Sequence, residues 1–230
     1  MDRQKKFKLN KKQKNQLEYA IVLIFLLLSF FFWNSYAIYP IKFFVVLTHE
    51  ISHGLAAILT GGQVDSLSIT SSLGGISGTI GGNRFIIASA GYLGSLLFGV
   101  GLFISGYNDK FRRVLSILIS IILILFAANF MHGYLGKIAS VLFAAILILI
   151  PIYFSQTINS IIFKLLGLIS MFYVAIDIKE DILTNVYRQS DAQNIAVLSS
   201  VSATVWGFLW LTISLITIFF LFRWSYKKDF

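Results

Sequence analysis

Apolar runs of about twenty residues follow one another along most of the chain, separated by short polar connections. The first, Tyr19 to Ile38, is long enough to cross a hydrocarbon core of ~30 Å at about 1.5 Å per residue, and Trp33, Tyr36 and Tyr39 stand at its far end as interfacial aromatics do. It is too long for the apolar region of a cleavable signal peptide and lacks a small-residue cleavage site, so it reads as a retained span. Pro40 then breaks the chain, and a second apolar helix is expected from Ile41 to Thr60, closed by Gly61 and Gly62 where a C-cap wants glycine. From Asp65 to Gly82 the period changes. Leu67 and Ile69 alternate with Ser66, Ser68 and Thr70; Leu73, Gly74 and Gly75 make a turn; and Ile76, Gly78 and Ile80 alternate on the return, which predicts a β-hairpin. Further runs cover Phe85 to Ile104, Val114 to Phe130, Ile138 to Phe154, Ile161 to Ile176 (interrupted by Lys164) and Ile195 to Phe222. The expected fold is an all-α polytopic membrane protein of about six to seven transmembrane helices, with one short β-hairpin after the second.

Composition agrees. Of 230 residues 57% are apolar and 13% charged, too few polar groups to cover a soluble domain of this size. The absence of cysteine removes disulfides, thiolate zinc sites and a cysteine nucleophile, so any metal must use His, Asp or Glu. The net charge of +9 would suggest nucleic acid, but seven of the 19 basic residues fall between Arg3 and Lys14, ahead of the first span. Such a cluster fits anionic lipid headgroups and the cytoplasmic face of a cell membrane, so the expected partner is the lipid bilayer and not nucleic acid. Residues 1–17 then form a basic cytoplasmic tail and residues 18–230 one integral-membrane domain. Seven crossings, however, would put Lys110, Arg112 and Arg113, and likewise Arg223, Lys227 and Lys228, on the opposite side. Either one span is miscounted or a segment is re-entrant.

The chemistry sits in the second helix, where His49, Glu50, Ile51, Ser52 and His53 spell H-E-x-x-H. Two His four residues apart stack on one helical face and can share one zinc ion, and the Glu one step on can reach a zinc-bound water. With three His and three Glu in the chain, a random sequence of this composition would contain the pattern on the order of 0.0005 times. A purely structural polar cluster is disfavoured by cost: an ionisable Glu in a membrane helix costs roughly 2.5–3.5 kcal/mol on insertion scales. Zinc held by two imidazoles and a third protein ligand keeps a position open for water, which Glu50 would deprotonate before protonating the leaving amine.

These residues, embedded in an apolar helix and followed by Gly54, Ala56-Ala57 and Thr60-Gly61-Gly62, resemble the site-2 protease family of intramembrane zinc metallopeptidases, especially its compact B-type-like subgroup. The hairpin, Ala88-Ser89-Ala90-Gly91-Tyr92-Leu93-Gly94 in the next helix and Ser190-Asp191-Ala192 before the last span extend the resemblance, which covers roughly Phe43 to Phe222. It implies a zinc ion held by two His and one Asp, transmembrane segments of other proteins as substrates, and cleavage within the bilayer. It points to Asp191 as the third ligand, although the family's aspartate follows Leu or Asn-Pro and precedes Gly, whereas here Ser precedes and Ala follows.

On the residues alone the third ligand stays open. Asp177, Glu180 and Asp181 share a helical face at the end of an apolar run, with Asp177 the next choice; His132 is the remaining histidine; and Ser190, Asp191 and Gln193 also fit a helix N-terminus. Gly91, Ser95 and Gly99 form a small-residue strip expected to pack against Ser52, Ala56 and Thr60 of the H-E-x-x-H helix. The hairpin can offer an edge strand to an unwound substrate, and Asn129 is a candidate substrate-binding amide. A divalent-metal transporter would bring further His or Asp pairs and a His-rich loop, which the chain lacks; a catalytically inert scaffold would not need Glu50; and imidazoles four residues apart cannot take opposite axial positions of a haem.

Overall fold

The computed structural model describes residues 10–181 and 190–229; the Arg3 to Lys8 part of the basic cluster lies outside them. Helix α1 spans Lys11–Phe31 and opens on a capping box, in which Asn10 accepts from the Gln13 amide at 2.8 Å and Gln13 accepts from the Asn10 amide at 2.9 Å. Two orphan donors are thereby satisfied, so residues 11–17, expected in the tail, form the first turns of α1. The first span ends at Phe31 rather than Ile38. α2 covers Tyr39–Leu59 and starts before Pro40 rather than after it, because proline in the first turn lacks only an N–H that would have no helical partner. Gly61, at φ 82°, turns the chain out of α2, and the Gly62 amide donates to the Ala57 carbonyl at 2.8 Å.

The hairpin forms where the alternation placed it: β1 (Gln63–Ile69) pairs antiparallel with β2 (Gly75–Ile80), with an irregularity between Val64 and Ser66. A third strand joins it. After α3 (Arg84–Ser105) and α4 (Asp109–Asn129), the two-residue β3 (Met131–His132) lies parallel to Leu67 and Ser68, so the order is β2-β1-β3. α5 (Tyr134–Tyr153) and α6 (Gln156–Lys179) follow. The apolar run from Ile195, expected as one span, divides into α7 (Asp191–Ser199) and α8 (Ala203–Asp229), because Ser200 adopts a left-handed conformation at φ 57°. The Trp206 indole donates to Ser199 Oγ at 2.7 Å across that corner.

Among the described residues, seven helices (α1 to α6 and α8) are long and apolar enough to cross a membrane. Their contacts give an order along α3. At its Gly106 end, Lys164 of α6 bonds Glu18 of α1 at 2.6 Å and lies 3.5 Å over the Tyr107 ring, which meets Ser225 of α8. Further along, Gly99 packs on Gly167, Tyr92 meets Asp181 and Gly91 meets His49; at the Asn83 end the Asn83 amide donates to Thr60 Oγ1 at 3.0 Å. α1 therefore begins at one end of α3 and α2 finishes at the other. Between them, Trp33 packs on Tyr173 of α6. The starts of α1, α4 and α6 share an end with the close of α8, so Lys110, Arg112, Arg113, Arg223, Lys227 and Lys228 lie with the start of α1. The charge conflict in the sequence disappears.

The closest helix pair is α3 with α6. A Cβ on Gly167 would lie 2.5 Å from the Gly99 carbonyl and the Phe103 amide, so two backbones meet where no side chain fits. Gly99 thus faces α6, not α2 as the strip suggested; it is Gly94 that packs against Ser52 of α2, whose hydroxyl donates back to the Thr48 carbonyl at 2.6 Å. Gly167→Ala must push α3 from α6, and its thermal midpoint in detergent is expected to fall by an amount corresponding to about 1–3 kcal/mol of overpacking, whereas Gly101→Ala, where the added carbon makes ordinary contact with Leu115, is expected to leave it near wild type.

Candidate metal centre and active-site cavity

α2 is buried along most of its length, and its interior is where an i, i+4 pair of histidines would face the bundle. His49 and His53 do so, with ring centroids 4.9 Å apart. Asp191, the first residue of α7, lies against both. Its Oδ2 is 3.1 Å from His49 Nε2 and 3.0 Å from His53 Nε2. Ser190 starts α7 by accepting from the Gln193 amide at 3.3 Å, so the capping role read from the sequence and the placement of Asp191 beside the imidazoles are compatible.

The second nitrogen of each imidazole is turned away from this point. His53 Nδ1 donates to the Ile87 carbonyl of α3 at 2.7 Å, which fixes the tautomer and leaves Nε2 as the lone-pair atom. His49 Nδ1 has Asp177 Oδ2 at 3.3 Å, an ionic contact whose alignment falls short of a hydrogen bond. Asp177 is thus behind His49, on the side away from His53. Among the described residues, two Nε2 atoms and one carboxylate oxygen form a group of ligand atoms lying within 4.8 Å of one another. Their N–O separations are near the roughly 3.3 Å between ligand atoms of a tetrahedral zinc site. The space is also kept open by glycine: a Cβ on Gly91 would fall among His49 Nε2, His49 Cε1 and Asp191 Oδ2. Buried imidazoles with oriented outer nitrogens, a shared carboxylate and a residue without a side chain fit a divalent metal of the zinc type.

Glu50, buried one residue on, opens onto a cavity of about 760 Å³ together with His49, His53 and Asp191. β2 forms one wall through Gly75, Ile76, Ser77 and Thr79. Gly75 sits so close that a Cβ there would overlap the Glu50 carboxylate. Asp177, Glu180 and Asp181 line the same cavity near the end of α6.

Other expected residues lie elsewhere. His132 is exposed on β3, its Nδ1 3.1 Å from the Phe130 carbonyl. Asn129 is exposed in the last turn of α4 and donates to the Leu125 carbonyl four residues back at 2.8 Å. That satisfies a solvent-side amide without a guest, and it does not line the cavity. The Ile87 carbonyl and the approach of Gly75 have no signature in a single sequence, since both depend on which helices and strands become neighbours.

Together these features define a polytopic membrane protein with a metallopeptidase-type ligand set inside its helix bundle. The family model for Peptidase M50B-like proteins matches residues 21–221, and the chain belongs to that family, the site-2 protease-like group. No curated protein and no solved structure matches it.

The two roles of carboxylate around His49 separate by metal titration. Asp191→Ala is expected to weaken zinc binding by more than 100-fold, whereas Asp177→Asn is expected to lower the affinity only roughly 10- to 100-fold, as for outer partners of ligating histidines; competition against a chromophoric chelator measures both.

Proposed function

We propose that the protein is an intramembrane zinc metalloprotease that hydrolyses peptide bonds of transmembrane protein substrates, held as a multi-pass protein in the cell membrane with its basic end toward the cytoplasm. The observation that carries this reading is the convergence of His49, His53 and Asp191 beside Glu50, in a cavity walled by a strand that is the outer one of its sheet among the described residues. Zinc bound by His49, His53 and Asp191 supplies a Lewis acid that polarises the scissile carbonyl and acidifies water.

The chain's own residues do the rest. Glu50, held in the cavity by its helix and by the Gly75 backbone, takes the proton of the attacking water and returns it to the leaving nitrogen. Ile87 and Asp177 hold the imidazoles in orientation. A substrate helix hides its carbonyls in its own hydrogen bonds, so it must be unwound before attack. β1 is flanked by β2 and β3, so β2 is an outer strand of the sheet, and its residues line the cavity. An extended substrate segment pairing there satisfies its backbone polar groups in a low-dielectric setting and presents its carbonyl on the Glu50 side. The polar wall of serines and threonines stands in for the water that the bilayer lacks. Clustering of the basic residues at the end where α1 begins supports the cytoplasmic assignment of that end.

The test is cleavage of a single-span reporter, carrying helix-destabilising residues in its transmembrane segment, by the purified protein in liposomes. Wild type is expected to cleave; Glu50→Gln is expected to keep zinc and lose at least 10²-fold in rate, on the order of the contribution of a positioned general base. Gly75→Ala, by displacing the Glu50 carboxylate, is expected to lower turnover with zinc content unchanged. Zinc flux without cleavage would replace this reading by transport.

A further inference from the structure

Asp191 stands at the head of a nine-residue helix that follows residues 182–189, and its carboxylate must still be set between two histidines of a different element. Something has to hold that first turn in place. Tyr92 of α3 is fully buried and meets it. The Ala192 amide, one of the first-turn donors without a helical acceptor, donates to Tyr92 Oη at 3.2 Å. The same hydroxyl donates its proton to Asp181 Oδ2 at the close of α6. One hydroxyl thus uses its donor on the segment before residues 182–189 and an acceptor lone pair on the segment after them.

We propose that Tyr92 is a positioning residue for the third metal ligand: by tying the end of α6 to the first turn of α7, it aims the Asp191 carboxylate at His49 and His53. This rests on the reading of Asp191 as a metal ligand. Tyr92 is not a candidate acid for the reacting carbonyl. It is absent from the cavity wall, is wholly enclosed, and its proton is committed to Asp181. Its neighbour Gly91 has the complementary task, since the space there is filled by the ligands themselves. The Tyr92 ring also packs edge-on to the His49 imidazole at 6.1 Å, so one residue of α3 contacts the elements that supply all three ligands. A phenylalanine would keep that packing and lose the hydrogen bonds alone.

The experiment is a double-mutant cycle on the full chain in detergent, read as zinc affinity by chelator competition and as the visible spectrum of the cobalt-substituted protein. Tyr92→Phe is expected to weaken zinc binding roughly 10- to 100-fold, the range for loss of a partner that orients a ligand, and to change the cobalt band intensities, which report the ligand set. Asp191→Ala is expected to weaken it further. The double variant is expected to match Asp191→Ala, because the hydroxyl acts only through that carboxylate. Additive losses, or wild-type affinity and spectrum in Tyr92→Phe, would overturn the proposal. Full affinity in Asp191→Ala would overturn the ligand reading beneath it and so is a separate failure. If Tyr92→Phe does not fold, Asp181→Leu, which leaves the tyrosine in its slot but removes its acceptor, must reproduce the loss, and Asp181→Asn, which restores an oxygen acceptor, must rescue it; failure of either sinks the assignment.

Discussion

Ionisable side chains placed among apolar helices must find their partners within the protein, and this constraint organises the centre of the molecule. His49 and His53 turn their Nε2 atoms toward Asp191, while His53 Nδ1 donates to the Ile87 carbonyl and His49 Nδ1 faces the Asp177 carboxylate. Each partner comes from a different helix. The polar cluster therefore cannot assemble unless α2, α3, α6 and α7 are packed, and the packing has a reason to be unique because few arrangements leave no buried charge alone. A second polar knot, Glu18 with Lys164 and Ser160, performs a similar service at the basic end, fastening α1 to α6.

Close backbone approach makes those meetings possible. Gly99 against Gly167 lets α6 lie on α3, Gly94 against Ser52 lets α2 lie on it, and Gly91 reserves the volume between the imidazoles and the carboxylate. Without water to drive helix association by hydrophobic burial, contact area and hydrogen bonds between helices must suffice, and small residues give both. The hairpin joins the same assembly. Tyr39 at the start of α2 donates to the Ser71 carbonyl at the hairpin tip at 2.7 Å, while Gly62 and Gly82 pack at its base, so β1 and β2 run alongside α2 rather than projecting from the bundle.

Much of this was legible in the sequence, for identifiable reasons. Long apolar runs, the period-two stretch around Gly74, and the H-E-x-x-H spacing are local signals, and each depends on residues within one or two turns or one hairpin. Resemblance brought in Asp191, whose partners are more than a hundred residues away. What stayed hidden was non-local or depended on caps. The Asn10–Gln13 box moved the start of α1, Ser200 split the last run, and β3 formed because Leu67 found the Phe130 carbonyl. The direction of α2 was hidden for the same reason: length and hydropathy count helices, but only contacts place the start of α1 and the close of α2 at opposite ends of α3. Asn129 drew attention as a lone amide, yet its own helix supplies its acceptor.

The short strand β3 has a consequence beyond its two residues. By pairing with Leu67 and Ser68 it covers the middle of β1 on the side away from β2, so that β2 offers the longer outer edge among the described strands. A chain that lengthens the sheet at the β2 margin arrives beside the strand whose Gly75 lines the cavity together with Glu50. Met131 and His132 thus leave the far margin of the sheet with a very short outer strand, one of the ways a protein makes an edge a poor template for stray chains.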